Sequence, residues 1–239
     1  MSARSFVIDV DALPRVLVAL PVRTPLVRPG DDLPALVAYC VRGIARPDDV
    51  VCVSETAVAI AQGRSIPAEA IRPSALARLL ADRAGAYATV NQPESMQLVM
   101  ESAGTLKVLA AAAAGAAGRL IGRRGDFYRI LGPAIAEIDG YTGTMPPYER
   151  HIVLGPLEPE AVASRIAHAC GAHAVVVDAN DLEKVEILGA SPRVDAGAVR
   201  ACLRGNPHGN SDQQTPVVVL KYRPRSGAPA SSPLLGPDQ

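Results

Sequence analysis

Three short valine-rich runs limit what this chain can fold into: VVCVS at 50–54, AVVVD at 174–178 and TPVVVLKY at 215–222. β-Branched side chains pack well on a pleated surface, and a continuous apolar run of this length fits a strand covered on both faces. FVIDV at 6–10, RVLVAL at 15–20 and KVEILG at 184–189 read as further strands. The run at 50–54 is expected to continue as strand past Ser54, through ETAVAIA, to a turn at Gln62–Gly63. Helical patterns lie between the strands. Leu33, Leu36, Val37, Cys40, Val41 and Ile44 recur at helical spacing. Asp31 or Asp32 can cap that helix, and Pro34 fits its first turn without losing a needed N–H. Further helices are predicted over 73–84, 93–103, about 158–170 and 195–204. The stretch from Arg119 to Pro156 mixes apolar segments with Gly and Pro and reads as strands and loops. This irregular alternation predicts an α+β fold, a mixed β-sheet core with flanking helices. One domain is expected over 1–224, followed by a disordered Pro/Ser-rich tail over 225–239.

The 239 residues carry 24 Lys+Arg and 24 Asp+Glu, with no block of one sign. Neutralising phosphates nonspecifically needs a basic surface, so nucleic acid is not an expected partner. With no Trp and only two Phe, the core has to be aliphatic. Cys40, Cys52, Cys170 and Cys202 form no C-x-x-C pair and have no His at metal-ligand spacing, so they read as buried thiols in a reducing cytoplasm. The first residues, MSARSFVIDVDALPRV, carry charges where a signal peptide needs an apolar core. The apolar run Val108 to Gly118 falls short of the roughly 20 residues that cross a bilayer. A soluble cytoplasmic protein without a membrane partner is the expectation.

Three loops after strands hold acidic, hydroxyl or amide groups. EIDGYTGTMPPYER contributes Asp139, Thr142, Thr144 and Tyr148; DANDLEK contributes Asp178, Asn180 and Asp181; GNPHGNSDQQTP contributes Asn206, His208, Asn210, Asp212, Gln213 and Gln214. Mg²⁺ takes one or two protein carboxylates and completes its shell with phosphate and water, which Asp139 with Asp178 or Asp181 could supply. Each loop is equally readable as turn chemistry, because Asp and Asn close turns through their own backbone. The sequence contains no G-x-x-x-x-G-K-[ST], no G-x-G-x-x-G and no G-x-S-x-G. His151 and His173 read as structural and His168 as exposed, leaving His208 as the one histidine with functional promise. Arg119, Arg123 and Arg124 form either a solvated edge or a phosphate contact.

Taken in order, PVRTPLVRPGDDLPALV, VVCVSETAVAIAQGR, PESMQLVMESAG, IDGYTGT, GPLEPEAVASRI and VVVDANDL resemble the coenzyme F420-0:L-glutamate ligases, or gamma-glutamyl ligases, and most of all their short, divergent bacterial members. The likeness covers about residues 15–222, and the ordered set carries it rather than any single motif. It implies an intertwined homodimer and a GTP- or ATP-dependent amide ligation. A carboxylate, on F420-0 or a specialised metabolite, is activated as an acyl phosphate with Mg²⁺ or Mn²⁺ and then captured by an amine such as L-glutamate. It assigns the metal to Asp139 and Asp178, which would lie close together and be catalytic, with Asn180 or Asp181 as a further ligand. It assigns nucleotide contacts to Arg23, Thr24, Glu55, Thr142, Asn210 and Gln213. Two positions depart from the family pattern: Glu55 stands where the family has Ser, and Ile60 where it has Lys. The alternatives are a non-catalytic homologue that binds a nucleotide or flavin-like ligand, and a phosphotransferase or hydrolase.

Overall fold

The computed structural model describes residues 6–8, 15–84, 89–123, 125–132, 135, 138–139, 146–180, 183–209 and 213–224. Its main sheet has six strands: β1 (Phe6–Ile8), β2 (Arg15–Val22), β3 (Val50–Ser54), β7 (His173–Ala179), β8 (Val185–Ala190) and β9 (Val217–Pro224). Their order is β1-β2-β9-β3-β7-β8. The β3–β7 pair is parallel, and the other neighbours are antiparallel. A second sheet of three strands joins β4 (Ser65–Pro67), β6 (His151–Leu154) and β5 (Ile138–Asp139), in that order.

The valine runs are explained by helices on both faces of the main sheet. Val51, Val53, Ala174, Val176, Val217 and Val219 pack against α1 (Leu33–Val41), α2 (Glu55–Ala61) and α7 (Pro159–Cys170). The alternate residues Val50, Cys52, Val175, Val177, Val218 and Leu220 pack against α8 (Ala196–Leu203). A strand buried on both sides has no polar face to show, hence the unbroken apolar sequence. A third cluster joins α3 (Ala75–Ala81), α4 (Pro93–Ala103), α5 (Thr105–Leu120) and α6 (Asp126–Leu131) to Ile138 and Ile152 of the second sheet.

Helix α1 begins where its cap predicts: Asp32 Oδ1 accepts the Ala35 N–H at 3.1 Å. The chain after Ser54 corrects the expectation of a longer strand, because residues 55–61 are the helix α2. An apolar run buried on every side carries no period that tells strand from helix. Three alanines favour the helix, and Gly63 at φ +71 ends it. The expectation of strands and loops after Arg119 is also corrected, since α6 occupies 126–131. Gly115 and Gly118 of α5 let α6 approach so closely that a Cβ at Gly118 would overlap the Asp126 carboxylate. Gly189 of β8 likewise admits the Pro159–Glu160 peptide at the start of α7. Cys52 and Cys202 are buried as expected, whereas Cys40 and Cys170 are half-buried; all four are free thiols.

At one end of the main sheet, the Lys221 ammonium of β9 meets the buried Asp49 carboxylate at 2.8 Å and donates to the Ile44 carbonyl. Asp49 also accepts the Arg46 N–H at 2.9 Å. This polar lock closes the end at which β3 and β7 begin. Among the described residues no single helix is long and apolar enough to cross a membrane, and α4 and α5 meet at 115°.

Candidate active site

The opposite end of the sheet gathers most of the predicted residues. β3 and β7 run parallel, with Ser54 opposite Val177, so Glu55 and Asp178 leave adjacent strands side by side. β2 ends and β9 begins at the same level, where Val22 pairs with Val217. Arg23 and Thr24 follow β2, and Gln213 and Gln214 precede β9. Strand order, not sequence proximity, therefore brings Arg23, Thr24, Glu55, Asp178, Asn180 and Gln213 to one sheet end. In sheets with parallel strands, the crevice beyond their carboxyl ends is where ligands bind.

Asp178 is a half-buried carboxylate on the same face of β7 as Ala174 and Val176. Burial raises its pKa above the usual value; the Lys184 charge opposes the rise and Glu186 adds to it. Among the described residues nothing donates a hydrogen bond to it. The turn chemistry of this segment belongs to Asn180 instead. Its N–H donates to the Lys184 carbonyl at 3.1 Å, its carbonyl accepts the Glu183 N–H at 3.2 Å, and its Oδ1 accepts the Lys184 N–H at 3.3 Å. Asn180 thus closes the β7–β8 hairpin, while Asp178 stands beside the turn without serving it. Lys184 lies 3.6 Å from Glu186, so its charge is shared between two carboxylates.

Thr24, a nucleotide contact on the resemblance, and His208, the histidine with functional promise, both make internal hydrogen bonds. Thr24 is buried, and its hydroxyl donates to the Pro25 carbonyl at 2.8 Å. Its N–H donates to the Gln214 carbonyl at 3.2 Å, and the Gln214 side-chain amide returns a bond to the Thr24 carbonyl at 2.7 Å. The Ser54 N–H donates to Pro216, tying the third strand end to the same segment. His208 is buried rather than presented to a ligand, and burial pushes its pKa down to about 4. Its Nδ1 lies 3.2 Å from the Thr215 carbonyl, while the Thr215 hydroxyl donates to the His208 carbonyl at 2.6 Å. A neutral ring donating from Nδ1 satisfies this geometry, and the reciprocal pair pins the loop leading into β9. Gln213 is exposed, and its side chain lies against Gly209, which has φ +76.

Arg23 is exposed at the end of β2, and Glu55 is half-buried in the first turn of α2. Ile60, the position where a lysine was expected from the resemblance, is buried in the main core. Asp139 belongs to the second sheet, opposite Val153. Its side chain lies outside the described residues, as do Thr142, Thr144, Asp181, Asn210, Asp212 and Arg124. Tyr148 anchors the long loop: its hydroxyl donates to the Val27 carbonyl at 3.0 Å and its ring meets His151 edge-on. Arg123 is paired with Asp126 at 3.1 Å. Sequence reasoning missed Lys184 and Glu186, which set the charge around Asp178. The alternation of KVEILG could have pointed to Glu186, since Val185 and Ile187 flank it.

The class so defined is a mixed α+β sheet that gathers Glu55, Asp178 and the exposed Arg23 at the carboxyl end of its parallel strand pair. The F420-0:Gamma-glutamyl ligase family model matches residues 21–177, from β2 into β7, and the chain belongs to that family of ligases. No curated protein matches the chain.

Proposed function

We propose that this ligase joins a carboxylate to an amine such as L-glutamate, at the expense of GTP or ATP and with a divalent cation, on F420-0 or a related acid. The observation that carries this reading is Asp178, a desolvated carboxylate at the carboxyl end of β7 that the hairpin turn does not use. Among the described residues no three His, Cys, Asp or Glu side chains cluster. A Mg²⁺ or Mn²⁺ site bound to nucleotide needs only one or two protein carboxylates, so the donors fit. Asp178 and Glu55 would hold such a cation, with Asp139 as the proposed partner from the second sheet. When bound, the cation would neutralise phosphate charge and polarise the transferred phosphoryl group.

The remaining work is positioning. The substrate carboxylate attacks the terminal phosphorus and releases the nucleoside diphosphate. The amine then attacks the acyl carbon, phosphate leaves, and the amine proton passes to a base. Arg23, exposed at the strand ends, suits the phosphates through its planar fork. The Thr24–Gln214 and His208–Thr215 braces hold the loops that frame the crevice. Burial of Ile60 in place of a lysine supports a second reading, a homologue that binds nucleotide without turnover.

Nucleotide consumption tests the choice. The full chain with Mg²⁺ and GTP or ATP should release the nucleoside diphosphate only when F420-0 and L-glutamate are both present, and Asp178→Ala should lose that release by at least about 100-fold. Release without either substrate would mean a hydrolase, and nucleotide binding without release would mean the binding protein. In chelator, Asp178→Ala should be no less stable than wild type, because a carboxylate whose pKa is raised opposes folding when ionised. A lower melting point in EDTA with full stabilisation by Mg²⁺ would make Asp178 structural and refute the assignment.

A further inference from the structure

His151 and Ser65 each bury a polar atom that meets no partner, His151 Nδ1 and Ser65 Oγ. Both lie on the second sheet, where Ser65 pairs with Val153 and Pro67 with His151. Paired residues and their second neighbours along a strand share a face, so Ser65 and His151 are diagonal neighbours on one face, within reach of a side chain as long as histidine. Ile152 points the other way, into the third core cluster. On the His151 face the ring meets Tyr148 edge-on, with 5.2 Å between centroids, and the Tyr148 hydroxyl donates to the Val27 carbonyl. Val27 belongs to the loop that leaves β2 through Arg23 and Thr24. Helix α2, which opens with Glu55, also packs against β6. His151 is therefore tied to the sheet end that carries the candidate site.

The other histidines are unsuited to proton transfer there. His173 begins β7 and His168 lies in the last turn of α7, so both belong to the opposite end of the sheet. His208 has its Nε2 buried and its Nδ1 against the Thr215 carbonyl. His151 is half-buried, with Nδ1 enclosed and Nε2 the nitrogen left open. On the ligase reading, from which this inference starts, the amine needs a base, and Glu55 and Asp178 are engaged by the cation. We propose that His151 is that base and that Ser65 positions it. Nδ1–H donates to Ser65 Oγ, which leaves the lone pair on Nε2. The bond is not made in the structure, where both atoms lack a partner. Hydrogen bonds of this kind commonly tighten once substrate is bound. As the nitrogen–carbon bond forms and the carbon–oxygen bond to phosphate breaks, Nε2 takes the proton of the attacking amine. The imidazolium then passes it to the released phosphate.

Hydroxylamine separates the two half-reactions. It is unprotonated at neutral pH and captures acyl phosphates as hydroxamates without help from a base. With F420-0, Mg²⁺ and GTP or ATP, the full-length wild type should form hydroxamate with hydroxylamine and amide with L-glutamate. His151→Gln should lose amide formation by about 100-fold or more, mostly in kcat, and keep hydroxamate formation within about threefold of wild type. Ser65→Ala should show the same split at about 10-fold with the KM for L-glutamate unchanged, and Ser65→Thr, which keeps the hydroxyl, should restore the rate. Should His151→Gln melt below the assay temperature, Ser65→Ala decides. Equal loss of both activities would overturn the proposal, since His151 would then act before the amine does. So would amide formation by His151→Gln at the wild-type rate. A wild type that forms neither product refutes the ligase reading itself, and the base falls with it.

Discussion

His208 should make the stability of this protein depend on pH in a way that one substitution removes. The buried ring keeps a neutral form in the folded chain until pH falls to about 4, whereas an unfolded histidine binds a proton near 6.5. Between those values the unfolded chain binds the proton and the native chain does not, so stability falls as pH falls. Asn in place of His can keep the donor to the Thr215 carbonyl with its side-chain amide and has nothing to titrate. From about pH 7 to about pH 4.5, wild type should lose about 2.5 kcal/mol more than His208→Asn, from 1.36 kcal/mol for each pH unit the proton is withheld. Urea melts of both proteins at several pH values measure this directly. Carboxylates titrating in the same range affect both proteins alike and cancel in the difference. Parallel stability curves, within about 0.5 kcal/mol across the range, would show that the native ring takes up its proton readily and that burial does not hold it neutral.

Lys221→Met should destabilise the fold by about 3 kcal/mol, because it leaves the buried Asp49 carboxylate without its cation; Asp49→Asn in the same background should recover part of the loss. Urea midpoints decide, and a cost below about 1 kcal/mol would mean that the Arg46 N–H alone suffices for Asp49. Gly189→Ala should cost about 1–3 kcal/mol, because its methyl group meets backbone at Pro159–Glu160 rather than a side chain that can swing away. Thermal melts no lower than wild type would show that α7 slides on β8 without penalty.

Much of the fold could be read from the sequence because its strongest signals are local. The valine runs at 50–54, 174–178 and 215–222 became β3, β7 and most of β9, and Asp32 caps the helix predicted to follow it. Helices at 93–103, 159–170 and 196–203 match predicted segments within a residue or two. Local signals failed where burial is complete. In α2, residues 57–61 are all buried, so its sequence shows no polar side from which to read a period. After Arg119 the mixture of apolar residues with Gly and Pro read as strands and loops, yet residues 126–131 are the helix α6, packed closely on Gly115 and Gly118 of α5. The two-sheet arrangement could not be read at all, because β4, β5 and β6 are four residues or shorter and become a sheet only by pairing across long sequence separations.

The site divides along the same line. DAND contained both a turn and a free carboxylate, and composition could not apportion them; the β7–β8 register does, giving the turn to Asn180 and leaving Asp178 at the strand end. Convergence of Arg23, Glu55 and Asp178 depends on β9 lying between β2 and β3, which no spacing in the sequence announces. Electrostatics then gives the departure at Ile60 its meaning. Among the described residues, Glu55, Asp178 and Glu186 outnumber Arg23 and Lys184 at this sheet end. A nucleoside triphosphate adds several more negative charges, which repel carboxylates strongly where water is displaced. The resemblance places a cationic lysine at position 60, whereas the isoleucine here is buried in the core and contributes no charge. On the proposed function, the missing charge has to be supplied by the divalent cation and Arg23, so this ligase should depend more steeply on metal concentration than one that keeps the lysine.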